Sequence, residues 1–243
     1  MRAILLIPCL VFLFSCDRER PACFMRAGEE TTVIRSLPEG IQTLEVYDLV
    51  DVVVYQDNRN EVVLRGPENV IRKIKTPTES GTVRIEDTNR CNWVRDLSIR
   101  PTIEFHLPSI TYVKYEGQGD VLFVDSLEAD VFTFEGRASA GDIFLRLNVD
   151  SANIEVHTGL SDIEIQGTAR IVGLFNQGYG FMNAEDLDAQ FVLSNNSSIN
   201  WMRVRCEQYL YARINDRGNL EYYGTPNTVD QQLNGDGELI ALD

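Results

Sequence analysis

Polar and apolar residues alternate along most of this chain, in short segments separated by turn residues. Residues 43–47 (TLEVY) place Leu44 and Val46 on one side and polar side chains on the other, which is the period of a half-buried strand. Similar segments follow at 50–55, 62–64, 82–86, 102–107 and 112–115. One interruption, residues 66–74, has Pro67 at a suitable first helical position and an apolar face, and predicts one short helix.

The second half is more regular and has two periods. Short apolar segments recur roughly every ten residues, between turns rich in Gly, Asn and Asp. The strings GDVL (119–122), GDIF (141–144) and SDIE (161–164) start 22 and then 20 residues apart. A fixed period of this length is typical of a solenoid, in which each coil buries its apolar face against the next. An antiparallel sandwich or barrel is the alternative, because its strands also recur at short intervals.

We therefore predict an all-β fold: a single-stranded right-handed parallel β-helix, or β-solenoid, with one short helix in the N-terminal half. An aspartate follows the turn at the start of three of the predicted coils, at Asp120, Asp142 and Asp162. Stacked carboxylates repel one another unless a cation or backbone N–H groups offset their charge. A Ca²⁺ ion could bridge two of them, or each could accept N–H groups of its own turn. Both alternatives stay open.

The first residues predict export. Arg2 precedes an apolar run of about a dozen residues that ends at Ser15-Cys16, as in a secretory signal. The run is shorter than the ~20 residues that a membrane-spanning helix needs. A Cys at the first mature position resembles a bacterial lipoprotein signal, with an ordinary signal peptide or a membrane anchor as alternatives. We expect a signal peptide at 1–15, lipid on Cys16, a charged tether at 16–30 and one β-solenoid domain at 31–243.

Charge and cysteine content limit the partners. The formal net charge of −15 argues against nucleic acid and anionic lipid surfaces, which need clustered Lys and Arg. Removal of the signal and lipidation of Cys16 would leave Cys23, Cys91 and Cys206, enough for one disulfide and one odd thiol. Cys23–Cys91 is the candidate pair, because it would pin the start of the mature chain to the fold. Three buried thiols are the alternative, and no spacing predicts a structural metal site or a cofactor.

The sequence offers little for catalysis. His106 and His157 are the only imidazoles, and no Ser or Cys nucleophile is placed beside either, so a catalytic triad is not supported. Both histidines are expected at the surface or in turns. Acidic residues on one face of a solenoid would support a polysaccharide-active enzyme as an alternative function. Aromatic rings offer flat apolar surfaces for sugars or proteins. The candidate ligand-binding residues are Trp201, Tyr209, Tyr211, Tyr222 and Tyr223.

Two strings, with the Gly-Asp turns, carry a family resemblance. Residues 91–95 (CNWVR), paired with Cys23-Phe24, and residues 218–226 (GNLEYYGTP) resemble the auto-transporter adhesin head GIN domain family. The resemblance covers roughly residues 40–225. It implies a β-helical fold, an adhesin-like or binding role, and a secreted or lipid-anchored protein of Bacteroidetes-type bacteria. It supplies no catalytic residues.

The combined expectation is a non-catalytic, lipid-anchored outer-membrane protein that faces the periplasm or the cell surface. It would contact the membrane through its lipid and bind a polymer such as a glycan, or a matrix protein. The alternatives are a polysaccharide-active enzyme and a structural envelope scaffold. An aromatic-bearing sheet would favour binding, a cleft with converging carboxylates would favour the enzyme, and a uniformly polar exterior would favour the scaffold.

Overall fold

A computed structural model describes residues 27–89 and 100–242. Cys16, most of the expected tether and the Cys23–Cys91 pair lie outside the described residues. Within them the chain forms 18 strands and one helix. The elements of the N-terminal half are β1 (Glu30–Ser36), β2 (Thr43–Asp48), β3 (Asp51–Gln56), β4 (Glu61–Pro67), α1 (Glu68–Ile71), β5 (Ile74–Lys75), β6 (Thr78–Glu79), β7 (Thr82–Asp87), β8 (Thr102–Leu107) and β9 (Tyr112–Gly117). The remaining strands are β10 (Val121–Phe123), β11 (Leu127–Gly136), β12 (Asp142–Val156), β13 (Asp162–Asn176), β14 (Met182–Asn196), β15 (Met202–Ile214), β16 (Leu220–Tyr223), β17 (Thr228–Leu233) and β18 (Leu239–Ala241).

Each long strand covers two faces of the molecule. In β12 the inward positions are odd-numbered up to Val149 and even-numbered from Ala152, with Asp150 and Ser151 both turned outward between them. This change of phase marks a corner, because side chains of a strand otherwise alternate strictly. We call residues 142–149 and the segments laddered with them face 1. We call residues 151–156 and the segments laddered with them face 2.

Parallel ladders join successive coils, which confirms the predicted β-solenoid of about six turns. Ile143 pairs with Ile163, Ile163 with Met182, Met182 with Met202, and Met202 with Leu220. All of these side chains are buried, so each coil covers the apolar side of the next. The twenty-residue period of the sequence is thus the circumference of one coil. The handedness stays a prediction.

The N-terminal half departs from sequential stacking. Strand β2 lies between β7 and β9, and β3 lies between β8 and β10, so a later coil flanks the earlier one on each side. Antiparallel strands β4 and then β1 follow β8 on face 1 and close this end of the sheet. The predicted helix is present but has only four residues, because Gly66 and the extended Pro67 belong to β4.

The core is mainly aliphatic and aromatic, and most of its buried polar side chains lie near the turns from face 2 to face 1. There the inward Asn196 donates from Nδ2 to the carbonyl oxygens of Asn200, Gly218 and Asn219 at 2.9, 3.2 and 3.0 Å. Tyr115 acts similarly in an earlier coil, with its hydroxyl 2.5 Å from the carbonyl oxygen of Gly119. Buried polar groups need such partners. These side chains therefore fix the turns from inside.

Candidate functional site

The three predicted aspartates stack in one column together with Asp51. Asp120 N–H donates to Asp51 Oδ1 at 3.0 Å, and Asp142 N–H donates to Asp120 Oδ1 at 3.0 Å. Asp162 Oδ1 accepts from the N–H of Phe181 at 2.8 Å. The donor thus belongs to the next coil, rather than to the aspartate's own turn as in the hydrogen-bonding alternative. No group of three or more His, Cys, Asp or Glu in the described ranges could hold a metal ion. The backbone N–H groups offset part of the charge of Asp51, Asp120 and Asp162.

The structure separates the five predicted aromatic residues. Trp201 lies just before face 1, with its ring centroid 4.8 Å from that of Phe181 and the guanidinium of Arg203 4.3 Å above it. Tyr222 is partly buried and packs against the core. Tyr223, the next residue of the strand, lies under Arg205 at 5.2 Å. Tyr209 and Tyr211 are on face 2, so the five residues do not form one site.

Tyr209 and Tyr211 belong to a larger apolar surface on face 2. Ile171 pairs with Phe191 and Phe191 with Tyr209, while Leu193 pairs with Tyr211. Leu193 is 46% exposed. The hydroxyls of Tyr209 and Tyr211 each donate to a side chain of β17, namely to Asp230 and Gln232 at 2.9 Å. We call the outward side chains Ile171, Phe175, Phe191, Leu193, Tyr209 and Tyr211 the aromatic face.

A polar cluster borders the aromatic face. His157 Nε2 lies 2.9 Å from Glu155 Oε2 and 3.5 Å from Glu135 Oε1, so two carboxylates of adjacent coils converge on one imidazole. Hydrogen bonds from Tyr112 and then from Arg137 lower the pKa of Glu135. Burial, and then the same bond to Glu135, raises the pKa of Tyr112 to about 12. Glu135 is thus held as a carboxylate.

His106 occupies a second polar cluster, at the N-terminal end of face 1. Its side chain is only 6% exposed, which corrects the expectation of a surface histidine. The ring stacks on Tyr55 at 4.6 Å, and Nδ1 lies 2.9 Å from Asp57 Oδ2. Hydrogen bonds from Arg59 hold the pKa of Asp57 well below its ordinary value. A groove of about 630 Å³ lies beside the ring. The alternating strand pattern did not reveal this burial, because Tyr55, Asp57 and Arg59, which contact the ring, come from a distant part of the sequence.

Exposed apolar side chains also mark three successive turns between the faces. Leu160, Tyr179 and Ile199 are 68%, 61% and 42% exposed. These residues were not among the candidates predicted from the sequence. Nor were Phe175, Phe191 and Leu193 of the aromatic face. An alignment of the coils at their 18- to 22-residue offsets would have placed Ile171, Phe191 and Tyr209 in one column, because these offsets are visible in the turn residues.

One protein family and several solved structures resemble this chain. The family described as "Putative auto-transporter adhesin, head GIN domain" matches residues 41–226, which is most of the sequence. The search of curated proteins gave no match. No helix within the described ranges is long and apolar enough to cross a membrane.

Three of the structural neighbours come from the genera Bacteroides and Parabacteroides. A Bacteroides fragilis protein described as a "putative adhesin" is 19% identical, with a TM-score of 0.81, over 88% of this chain and 97% of that chain. A "putative lipid binding protein" of Parabacteroides distasonis is 17% identical, with a TM-score of 0.68, over 89% and 98%. A "putative adhesin" of Parabacteroides merdae is 15% identical, with a TM-score of 0.59, over 89% and 97%. At these identities the likeness shows the fold alone.

Proposed function

The chain belongs to this family of adhesin head domains, and from that premise we propose that it is a non-catalytic, lipid-anchored binding protein of the bacterial outer membrane. The aromatic face is the surface that contacts its partner, an extended polymer or a matrix protein. The lipid on Cys16 and the tether behind it hold the solenoid at the membrane. Bacterial lipoproteins carry several acyl chains, and more than one chain is needed for stable anchoring.

The observation that supports this proposal most is the continuity of the aromatic face. Its six side chains project from laddered positions of β13, β14 and β15, so the neighbouring backbones hold them in fixed register. Scattered exposed apolar residues are ordinary, whereas a contiguous apolar surface with a polar border marks an interaction site. Rings that are already in place lose little conformational entropy when they bind.

The converging carboxylates support an enzyme less well. A glycosidase needs one carboxyl group with a raised pKa to act as the acid, whereas the pKa of Glu135 is lowered. Glu155 is engaged by His157 and by Asn153, whose Nδ2 donates to it at 2.6 Å. A reducing-sugar assay with the wild-type chain on a panel of polysaccharides tests this point. Released product would overturn the non-catalytic proposal.

A matched pair of leucines tests the surface itself. Leu193 lies in the aromatic face and Leu122 lies on face 1, and they are 46% and 41% exposed. The wild type and the variants are applied to a glycan array and to a matrix-protein array. We expect Leu193→Asn to weaken binding to the component that the wild type retains by about tenfold, equivalent to ~1.4 kcal/mol. Leu122→Asn should change that affinity by less than about twofold, since Leu122 lies on face 1, which the proposed partner does not contact. Equal losses would contradict the assignment of the surface.

Metabolic labelling tests the anchor separately. The full-length chain and its Cys16→Ser variant are expressed in a bacterium supplied with labelled palmitate. We expect label in the wild type and none in the variant, because the Cys16 thiol is the proposed acceptor. An unlabelled wild type would refute the lipid anchor without affecting the binding surface.

A further inference from the structure

The aromatic face contains a groove where one side chain is missing. Gly173 lies in an outward column between Asn153 of the preceding coil and Leu193 of the following coil. Because glycine has no side chain, the column is interrupted there, and a groove of about 440 Å³ opens over it. It is lined by Asn153, Glu155, His157, Gly173, Leu174, Phe175, Leu193 and Asn195.

One side of the groove is polar. The Asn153 side chain reaches over Gly173, and its Oδ1 lies 2.7 Å from the point where a Cβ of residue 173 would be. Glu155 is fixed between Asn153 Nδ2 and His157 Nε2, at 2.6 and 2.9 Å. Asn195 accepts at Oδ1 from Ser197 and Asn215, so its Nδ2 remains a donor for a ligand. Amide and carboxylate groups placed in this way suit the hydroxyls of a ligand.

The other side of the groove is apolar. The rings of Phe175 and His157 lie 5.4 Å apart at 53°, and Leu193 forms the wall in the following coil. An aromatic ring beside convergent polar groups gives the groove two chemically different walls. A pyranose has the same asymmetry, with C–H groups on its faces and hydroxyls around its rim.

The charge of the groove selects among sugars. Glu155 is the one acidic side chain among its lining residues, and Glu135 lies next to it in the preceding coil. The lining includes no Lys or Arg, and two arginines beside it are engaged: Arg137 pairs with Glu135, and Arg213 of the following coil donates to Asn215. The whole chain carries a net charge of −15. An acidic sugar would therefore be repelled, and an uncharged one would not.

We propose that the Gly173 groove is a subsite for an uncharged pyranose ring of a polysaccharide lying across the aromatic face. This inference rests on the proposed binding function and gives it a ligand class. In the subsite the ring stacks on Phe175, while Asn153, Glu155 and Asn195 bind its hydroxyls. Leu193 and the tyrosines of β15 contact the neighbouring sugars.

Filling the groove tests the subsite. Gly173→Leu restores a side chain to the column, and the nearest atom to the new Cβ is the movable end of Asn153. Gly173 does not have a positive φ, so the variant should fold, since strands accept leucine better than glycine. The probes are cellohexaose, mannohexaose, chitohexaose and hexagalacturonate, measured by calorimetry with the wild type, Gly173→Leu, Asn195→Ala and Leu122→Asn.

We expect the wild type to bind at least one of the three uncharged hexasaccharides and not hexagalacturonate. Gly173→Leu should lose at least tenfold in affinity, Asn195→Ala should lose severalfold, and Leu122→Asn should be unchanged. Binding of hexagalacturonate, or full affinity in Gly173→Leu, would overturn the subsite. If no hexasaccharide binds, but a matrix protein binds and Leu193→Asn weakens that binding, the subsite is refuted and the proposed function stands. If nothing on either array binds, both fail.

Discussion

Faces 1 and 2 of the solenoid share the same parallel ladders but present different chemistry. On face 1, Arg203 pairs with Glu221 at 2.6 Å and covers Trp201, while Arg205 covers Tyr223. On face 2 of β13 to β15, no cation lies over Phe191, Tyr209 or Tyr211 within the described part of the chain. Aromatic residues alone therefore do not make a binding surface. The residues beside them decide whether the rings are available to a partner.

The same comparison explains the outcome for the predicted site. Trp201 and Tyr223 are engaged by arginines of β15, so a ligand would have to displace a cation from each ring. Tyr209 and Tyr211 use only their hydroxyls, which leaves the rings to face solvent together with Phe191. Because arginines cover these aromatic rings on face 1, face 2 is the better candidate for a binding surface.

A clash between two coils should disturb both faces at once and have the largest effect on the free energy of unfolding. Gly141 has φ +94°, and an added Cβ would lie 2.2 Å from the carbonyl oxygen of Gly119 in the neighbouring coil. Gly40 has φ +81°, and nothing lies within 4 Å of its added Cβ. We expect Gly40→Ala to cost about 1–2 kcal/mol from its backbone conformation alone. Gly141→Ala should cost more than about 3 kcal/mol, because the coils must also separate. Urea unfolding measures both, and equal losses would contradict the close packing.

Two adjacent asparagines of β14 point to opposite sides of the sheet, one into the interior and one onto face 2. Asn196 is fully buried and closes a turn, whereas Asn195 is outward on face 2. We expect Asn196→Ala to lower the free energy of unfolding by about 1–3 kcal/mol, because three carbonyl oxygens lose their donor. Asn195→Ala should cost less than about 1 kcal/mol while weakening sugar binding. A stable Asn196→Ala protein would show that water replaces the side chain.

The polar border of face 2 should make a smaller, pH-dependent contribution. The pKa of Glu135 is lowered from its ordinary value when the protein folds, mainly by the Tyr112 hydroxyl. A lowered folded pKa stabilises the protein above the unfolded pKa, and this stabilisation is lost as the pH falls through the folded pKa. We expect Tyr112→Phe to be destabilised by about 1 kcal/mol or less at pH 7, and this deficit should shrink between about pH 5 and pH 3.

The matched control for that experiment is Tyr211→Phe. Its hydroxyl donates to Gln232, which does not titrate, so any loss of stability should be the same at both pH values. Urea unfolding of the wild type and both variants at pH 7 and pH 3 gives the six free energies that the comparison needs. A deficit of Tyr112→Phe that is constant with pH would show that Glu135 is not the partner that matters.

The smallest effect is expected at the aspartate column, at the edge of face 1, when calcium is added. Asp120 and Asp162 each use Oδ1 to accept a backbone N–H of the next coil, which offsets their charge without a cation. We expect millimolar calcium to leave the melting temperature unchanged, since a ligand of the native state would raise it. A rise in the wild type that Asp120→Asn abolishes would instead establish the calcium bridge.

The sequence predicted the repeating part of the molecule better than its N-terminal end. From Asp120 onward each coil follows the previous one, so the spacing of the turns equals the spacing in the structure. In the N-terminal half the coil of β2 and β3 is enclosed by segments that come later in the chain. There the alternation within each strand predicts its buried side correctly. It carries no information about which distant strand will be the neighbour.

By itself the sequence determined the all-β class, the circumference of a coil and the side of each strand that is buried. These features depend on periods of two and of about twenty residues, both of which are visible in the chain. Only the tertiary structure decided that Phe191, Leu193 and Tyr211 meet on one surface, that arginines cover Trp201 and Tyr223, and that Gly173 leaves a groove. The physical reason is the corner within each coil. It shifts the alternation by one residue, so the outward neighbours of a side chain are set by the register between coils.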